Sequence, residues 1–169
     1  MPIVTVSSGL SGVVQSYKST LFTHGDGLYI RGTGGSFTCI NTVFDNFPSK
    51  GIVIYSGVDV QPTIKNCIFN GQVGSNSISD NSGQTENAVD YNCYKTANTN
   101  VTDGGHSLSV GTNPLFVNSS AFNYKLLPGS PCINVGLTSA LPDTDFEGKV
   151  WISPDIGAYA FRSTGFFGF

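Results

Sequence analysis

Two short segments of this 169-residue chain place an aspartate beside a histidine. They are His24-Gly-Asp26 and Asp103-Gly-Gly-His106, and these residue types can act as general acids and bases in catalysis. Both segments are rich in glycine, which is typical of turns between strands. Nothing in the sequence brings the two histidines together. We therefore favour turns at both segments, and we predict no catalytic residue.

A second group of charged residues has the composition of a cation site. Asp143, Asp145 and Glu147 alternate along the chain, as the first ligands of a calcium loop do. The twelfth position of such a loop would be Pro154, where an EF-hand requires glutamate, and this excludes that motif. A looser calcium site on the same three acids stays open as an alternative. The sequence indicates no other cofactor.

Aromatic residues suggest two kinds of contact with other molecules. Tyr17, Tyr29 and Tyr55 could stack on sugars if they share one face, with neighbouring amides as hydrogen-bond partners. The end of the chain carries three apolar rings within four positions, namely Phe166, Phe167 and Phe169. Rings of this size rarely stay in water. They either fold back over the protein or dock on a partner chain.

A regular repeat in the apolar residues predicts the elements that would position these side chains. Its columns are Ile30, Ile54 and Ile78; Cys39, Ile64 and Val89; and Phe44, Phe69 and Tyr94. The period of about 25 residues indicates a solenoid, in which each coil buries its apolar side against its neighbours. The apolar runs are short and bounded by Gly, Asn, Asp or Pro, and helical periodicity is nearly absent. The sequence therefore predicts an all-β fold with these columns in its core.

The same alignment predicts the corners of the coils. Asn41 and Asn66 fall at one corner, as do Asp45 and Asn70, so we expect hydrogen bonds from coil to coil. An earlier, looser coil is indicated by Val6, one repeat before Ile30, and by Leu21-Phe22, slightly less than one repeat before Val43-Phe44. The polar stretches 79–84 and 96–105 are predicted to be projecting loops. A Cys67–Cys93 disulfide would require the third coil to slip by one residue.

Composition and charge narrow the classes of partner. Only 11% of residues are charged and the net charge is −3, a balance common in extracellular and virion proteins. The eight lysines and arginines are scattered singly, which argues against nucleic-acid binding. No apolar stretch has the length of a membrane span. The N-terminus lacks the basic and apolar regions of a signal peptide.

The repeat I-x-N-C-x-F and three closing phrases resemble right-handed parallel β-helix proteins of the pectate-lyase-like class. The closing phrases begin at Asn113 (NPLFV), Leu127 (LPGSPCINVG) and Asp155 (DIGAY), and they resemble the C-terminal block of many secreted bacterial β-helix proteins. The repeats indicate about four coils in residues 1–112, and the resemblance implies an irregular closing segment in 113–161. A Phe-rich tail in 162–169 lies beyond the resemblance. Enzymes of that class usually carry many more coils, and their lyases bind calcium through several aligned carboxylates. The acids of this chain do not align at the repeat spacing.

These observations favour a non-enzymatic structural or adhesive subunit of an extracellular or virion assembly, such as a phage tail fibre or spike. Because the ends of a solenoid need covering, we expect a homo-oligomer or a place in a larger assembly, with surface glycans as candidate ligands. The alternative is a fragment of a carbohydrate-active enzyme, either a polysaccharide lyase or a glycoside hydrolase.

Overall fold

The computed structural model describes residues 14–18, 20–23, 27–30, 36–57, 62–83 and 88–163. These residues form thirteen strands and two 3₁₀ turns, and none of their helical segments has the length and apolar character needed to cross a membrane. The strands are β1 (Val14–Lys18), β2 (Leu21–Thr23), β3 (Leu28–Ile30), β4 (Ser36–Ile40), β5 (Val43–Asp45), β6 (Lys50–Ile54), β7 (Thr63–Lys65), β8 (Ile68–Asn70), β9 (Asn76–Asp80), β10 (Ala88–Asp90), β11 (Cys93–Tyr94), β12 (Phe116–Asn118) and β13 (Asn123–Leu126). The 3₁₀ turns are Ser119–Ala121 and Thr138–Ala140.

Eleven of these strands form three parallel sheets. The first sheet has the order β1-β4-β7-β10, the second β2-β5-β8-β11 and the third β3-β6-β9. The chain visits the three sheets in turn and then returns to the first sheet one strand further on, which is the winding of a parallel β-helix. The prediction of an all-β fold, a short parallel β-helix of about four coils, is confirmed. β12 and β13 form a separate antiparallel pair.

The first sheet stacks its column as the sequence predicts. Cys39 pairs with Ile64, Ile64 pairs with Val89, and all three are buried. Tyr17 pairs with Cys39 and so precedes it in this column, although the coil that joins them is shorter than the later ones. The Tyr17 side chain packs against the core, with its ring 5.5 Å from that of Phe22. Tyr17 is thus a half-buried member of the interior column.

An aromatic ladder lines the inner face of the second sheet. Phe22, Phe44, Phe69 and Tyr94 pair in successive coils. Their ring centroids are 4.9, 4.8 and 5.5 Å apart, and the first two pairs of rings lie within 5° of parallel. The spacing follows the distance between hydrogen-bonded strands. The predicted stack is confirmed, and Phe22 extends it into the first coil.

The third predicted column is wrong at its second step. Ile30 pairs with Ile54 as predicted, but Ile78 pairs with Ile52, and Ile54 lies beside Asp80. Paired residues are 24 apart between β3 and β6, 25 apart between β5 and β8, and 26 apart between β6 and β9. The corner between β8 and β9, which contains one residue more than the corner between β5 and β6, supplies one of these two added residues. The difference from the prediction is two residues, so Ile78 keeps its buried face because side chains alternate along a strand.

The corner between the first and second sheets has the same form in three coils. Asn41, Asn66 and Tyr91 adopt left-handed backbone there, with φ of 48°, 54° and 56°. Asparagine reaches this region at lower cost than most residues. Nδ2 of Asn66 donates to Oδ1 of Asn41 over 3.2 Å, and Nδ2 of Asn70 donates to the Asp45 carboxylate. The predicted hydrogen bonds from coil to coil are confirmed at both positions.

One stretch predicted to be a projecting loop, residues 96–105, instead continues the helix. Thr99 forms a parallel bridge with Ser79, and the Asp80 amide donates to the Thr99 carbonyl over 3.0 Å. This stretch therefore lies along β9. Ser79 and Asp80 were themselves predicted to begin a loop, but they belong to β9 and are buried. Polar composition was misleading here because hydrogen bonds to β9, together with the packing of Val101 against the core, hold the stretch in place.

All four cysteines are buried as free thiols. Cys93 pairs with Ile68, so the slip that a Cys67–Cys93 bridge would require does not occur. The sulfur of Cys67 lies 3.9 Å from that of Cys39 and packs inside the coils. A hydrogen bond with Cys132 and burial raise the pKa of the Cys93 thiol. These cysteines act as small core residues.

The closing segment, residues 113–161, covers the outer face of the second sheet. The apolar cluster between them contains Val43, Ile68 and Cys93 from the sheet and Tyr124, Leu126, Cys132, Ile156, Ala158 and Tyr159 from the closing segment. Gly157 allows the close approach, because a β-carbon there would lie 2.7 Å from Cδ1 of Ile68. The closing segment lies along the side of the coils.

Candidate functional site

Buried amides at the corner of the coils hold the closing segment. The Asn66 side chain accepts a hydrogen bond from the Leu137 amide over 2.8 Å and donates to the Leu137 carbonyl over 3.1 Å. Nδ2 of Asn41 donates to the carbonyls of Asp155 and Gly157, both over 2.9 Å. Both asparagine side chains are fully buried. They fix the closing segment on the coils and so position the cleft described next.

A cleft of about 500 Å³ opens within the closing segment. We call it the closing cleft, and its lining residues are Val117, Lys125, Leu126, Leu127, Pro128, Asp145, Glu147, Lys149, Tyr159, Ala160, Phe161 and Arg162. Apolar side chains meet ammonium, guanidinium, carboxylate and phenol groups in it. This combination and this volume are typical of small-molecule and sugar sites.

One buried carboxylate shapes the charged side of the closing cleft. Asp145 accepts hydrogen bonds from the backbone amides of Glu147 (2.9 Å), Lys149 (2.8 Å) and Ala160 (3.2 Å). The amide of Asp145 in turn donates to the Lys149 carbonyl over 2.8 Å. These bonds close a tight loop and tie it to the last part of the closing segment. The loop aims Glu147 and Lys149 at the cleft.

The rim of the closing cleft carries a linked set of charges. Glu147 lies between Lys125, at 2.6 Å, and Lys149, at 2.5 Å. Hydrogen bonds from both lysines lower the pKa of Glu147 below its ordinary value. Burial, together with the nearby Glu147 and Asp145, raises the pKa of the Tyr159 phenol. The site thus presents fixed N–H and O–H donors beside apolar surface.

The calcium hypothesis placed Asp143, Asp145 and Glu147 in one set of ligands. Asp145 instead binds backbone amides, and Glu147 binds lysines. Across the part of the chain that the structure describes, no group of three His, Cys, Asp or Glu side chains is placed to hold a metal ion. Calcium binding by these acids stays a prediction without support from their positions.

The three tyrosines predicted to bind sugars lie on two different sheets. Tyr29 lies in β3 of the third sheet, and Tyr55 directly follows β6 of the same sheet. Their ring centroids are 6.0 Å apart. Tyr17 lies in the first sheet and packs against the core. The structure brings Tyr29 and Tyr55 together and separates Tyr17 from them. Sugar binding by these residues stays a prediction.

An acid–base pair does form at the last coil, but not between the residues that are adjacent in sequence. Nδ1 of His106 lies 2.8 Å from Oδ2 of Asp90, and the His106 ring stacks on Tyr91 at 4.7 Å. Asp103 accepts hydrogen bonds from Ser107 and from the Tyr94 phenol instead. Since an ionised carboxylate only accepts, Nδ1 of His106 is the donor in this contact, and in a neutral imidazole Nε2 is then the acceptor.

The remaining candidate residues lie outside the described part of the chain. They are His24, Asp26, Phe166, Phe167 and Phe169. The roles suggested for them stay predictions. The sequence did not single out Lys125, Lys149 or Arg162, because they follow no repeat and no motif. Comparison of the chain with protein-family models, with curated proteins and with solved structures found no match.

Proposed function

We propose that this chain is a non-enzymatic structural and adhesive β-helix subunit of an extracellular or virion assembly, and that it contacts surface glycans through the closing cleft. The closing cleft is the observation that carries the proposal. Sugars present both apolar ring faces and hydroxyl groups, and the cleft offers apolar side chains such as Leu127 beside the charged groups of Lys125 and Glu147.

The rigid attachment of the cleft also supports a binding role. The asparagine contacts described above hold the closing segment against the second sheet, so little conformational entropy is lost when a ligand binds. The resemblance of the closing phrases to those of secreted β-helix proteins supports kinship with the pectate-lyase-like class.

Assembly is proposed from the first strand of each parallel sheet. Within the described residues, β1, β2 and β3 each pair with another strand on one side only. Unpaired strand edges are templates for association with another chain. A second copy or a neighbouring subunit at this end would cover them.

The test combines a glycan array with a measurement of mass in solution. We expect the full chain to retain a subset of the glycans and to have at least twice the mass of one chain. Leu127→Ser, in the cleft, should weaken retention about tenfold, while Val73→Ser, at an exposed apolar position between β8 and β9 that does not line the cleft, should not. Failure to retain any glycan would reject the adhesive function, and a monomer would reject the assembly.

A second candidate, cleavage of glycans, is favoured by the Asp90–His106 pair. Asp90 orients the imidazole, as a carboxylate orients a catalytic histidine, and the His106 side chain is 60% exposed to solvent. If the chain cleaves glycans, new reducing ends or unsaturated sugars should appear and should vanish in His106→Gln. If wild type releases neither product from any retained glycan, this candidate is rejected.

A further inference from the structure

We propose, as a deepening of the glycan contact proposed above, that the closing cleft selects acidic saccharides, in which a carboxylate or sulfate group binds between Lys125, Lys149 and Arg162. The apolar part of the cleft would hold the sugar ring. The ligand class is thus an anionic sugar, held by protein cations without a metal ion.

The first support is the concentration of positive charge. The chain has eight lysines and arginines and a net charge of −3, yet three of the eight basic residues line this one cleft: Lys125, Lys149 and Arg162. The lining contains only two acids, and Asp145 is already bonded to three backbone amides. The lining therefore carries three formal positive charges and two formal negative charges. A positive cleft on an acidic protein attracts anionic ligands.

The second support is the number of N–H donors. Each lysine ammonium has three donors and a guanidinium has five. Lys125 and Lys149 each contact Glu147, and Arg162 donates to the Val150 carbonyl over 2.6 Å. The carboxylate of Glu147 cannot occupy all of these donors. A second carboxylate or a sulfate would accept those that remain, and hydrogen bonds between charged groups are the stronger kind.

The third support is apolar surface, which favours a sugar over a free inorganic anion as the ligand. Leu126, Leu127, Pro128 and Phe161 line the same cleft, and the Leu127 side chain is 39% exposed. An inorganic anion gains nothing from apolar surface, whereas a pyranose ring packs its C–H face against it. An acidic sugar therefore uses both halves of the cleft.

The experiment uses the full chain and matched pairs of glycans that differ only in an acidic group. Pairs such as a β-glucuronide and the corresponding β-glucoside, and 3′-sulfolactose and lactose, are compared on the array, and the best-bound pair is then titrated by calorimetry. We expect the acidic member to bind about tenfold more tightly, with the difference shrinking at high salt. Lys125→Gln and Lys149→Gln should each lose most of this preference, while Lys95→Gln, an exposed lysine outside the cleft, should keep it.

Glu147→Gln gives a test of opposite sign. Because Glu147 competes for the same ammonium groups, its neutralisation should strengthen binding of the acidic glycan about threefold. If the ion pairs of Glu147 with Lys125 and Lys149 served only to hold the cleft in shape, Glu147→Gln would weaken binding instead.

The outcomes separate this inference from the function on which it rests. Equal binding of neutral and acidic members overturns the acidic preference and leaves the adhesive function standing. A preference that survives both lysine substitutions overturns the assignment to this cleft. Inorganic sulfate that binds as tightly as the sulfated sugar overturns the saccharide class. If no glycan of either kind is retained, the proposed function itself fails.

Discussion

The two faces of the second sheet are built by different means. The inner face carries the aromatic ladder of Phe22, Phe44, Phe69 and Tyr94. The outer face carries Leu21, Val43, Ile68 and Cys93, which pack against the irregular closing segment. On the inner face each residue stacks on its equivalent in the next coil. On the outer face each residue meets a segment with a different sequence.

This difference concerns where the partners lie in sequence. The inner ladder joins residues about one coil apart, as Phe44 and Phe69 are. The outer face depends on contacts such as that between Asn41 and Gly157, which are 116 residues apart. The helix interior is therefore held by repeated packing between neighbouring coils, and the closing segment by long-range contacts, which include both an apolar cluster and buried hydrogen bonds. We expect the closing segment to open before the coils unfold.

The largest expected effect is on the inner face. Phe44 is stacked between Phe22 and Phe69, and its side chain is 1% exposed. Phe44→Ala leaves a cavity that neither neighbour can fill, so the free energy of unfolding should fall by about 3–5 kcal/mol. Urea unfolding followed by fluorescence measures this loss. Phe146→Ala, at a half-exposed ring of the closing segment, is the control and should cost about 1 kcal/mol or less. Similar losses for both variants would contradict the comparison.

A smaller effect is expected where the closing segment is anchored. Asn66→Gly removes three side-chain hydrogen bonds while keeping a residue that tolerates the positive φ. We expect a loss of about 2–3 kcal/mol, because the buried Leu137 amide and carbonyl lose their partner. Hydrogen exchange should accelerate at the Leu137 and Gly157 amides.

The control for this variant is Asn46→Gly. Asn46 also has a positive φ, of 54°, but its side chain accepts only an exposed hydrogen bond from Gln72. It should change stability by about 0.5 kcal/mol or less. If Asn66→Gly accelerates exchange in β5 and β8 as much as in the closing segment, the two regions unfold as one unit, and their independence is disproved.

The sequence predicted the inner face well and the outer face poorly. Columns such as Cys39, Ile64 and Val89 repeat because each coil must bury the same side, so spacing alone reveals them. The third sheet departs from this pattern because the offset between paired residues grows from 24 to 26, and one of the two added residues lies at the corner 71–75. A length change in a surface corner leaves no mark on the apolar pattern.

The closing cleft could not be predicted from spacing. Asp145 and Glu147 were noticed as a pair of acids, but Lys125 lies well before Glu147 in the sequence and belongs to β13. Only the folded path of the closing segment brings these charges together. The pairing of His106 with Asp90, rather than with the nearer Asp103, has the same origin, since the last coil returns over β10. Long-range polar contacts follow no period.

The smallest expected effect on the free energy of unfolding concerns the Asp90–His106 pair at the last coil. Burial alone would raise the pKa of the Asp90 carboxyl, but hydrogen bonds from the His106 ring and amide and from the Tyr91 amide outweigh it and lower that pKa. A carboxyl whose pKa is lower in the folded chain stabilises the fold at pH values above its unfolded pKa of about 4. This stabilisation is lost as the pH falls through the pKa of the folded chain. Because solvent screens this partly exposed group, Asp90→Asn should cost only about 1 kcal/mol at neutral pH and almost nothing near pH 2.

Urea unfolding of wild type and Asp90→Asn at both pH values measures this difference, with the exposed Asp143→Asn as the control that should show none. Hydrogen exchange at the Gly104 amide, which donates to the Val89 carbonyl, assigns the effect to one region. If Asp90→Asn accelerates exchange at Gly104 and leaves Leu137 unchanged, residues 103–107 belong with the coils. Acceleration at Leu137 alone would join them to the closing segment, and a loss of stability that is equal at both pH values would show that the charge of Asp90 plays no part.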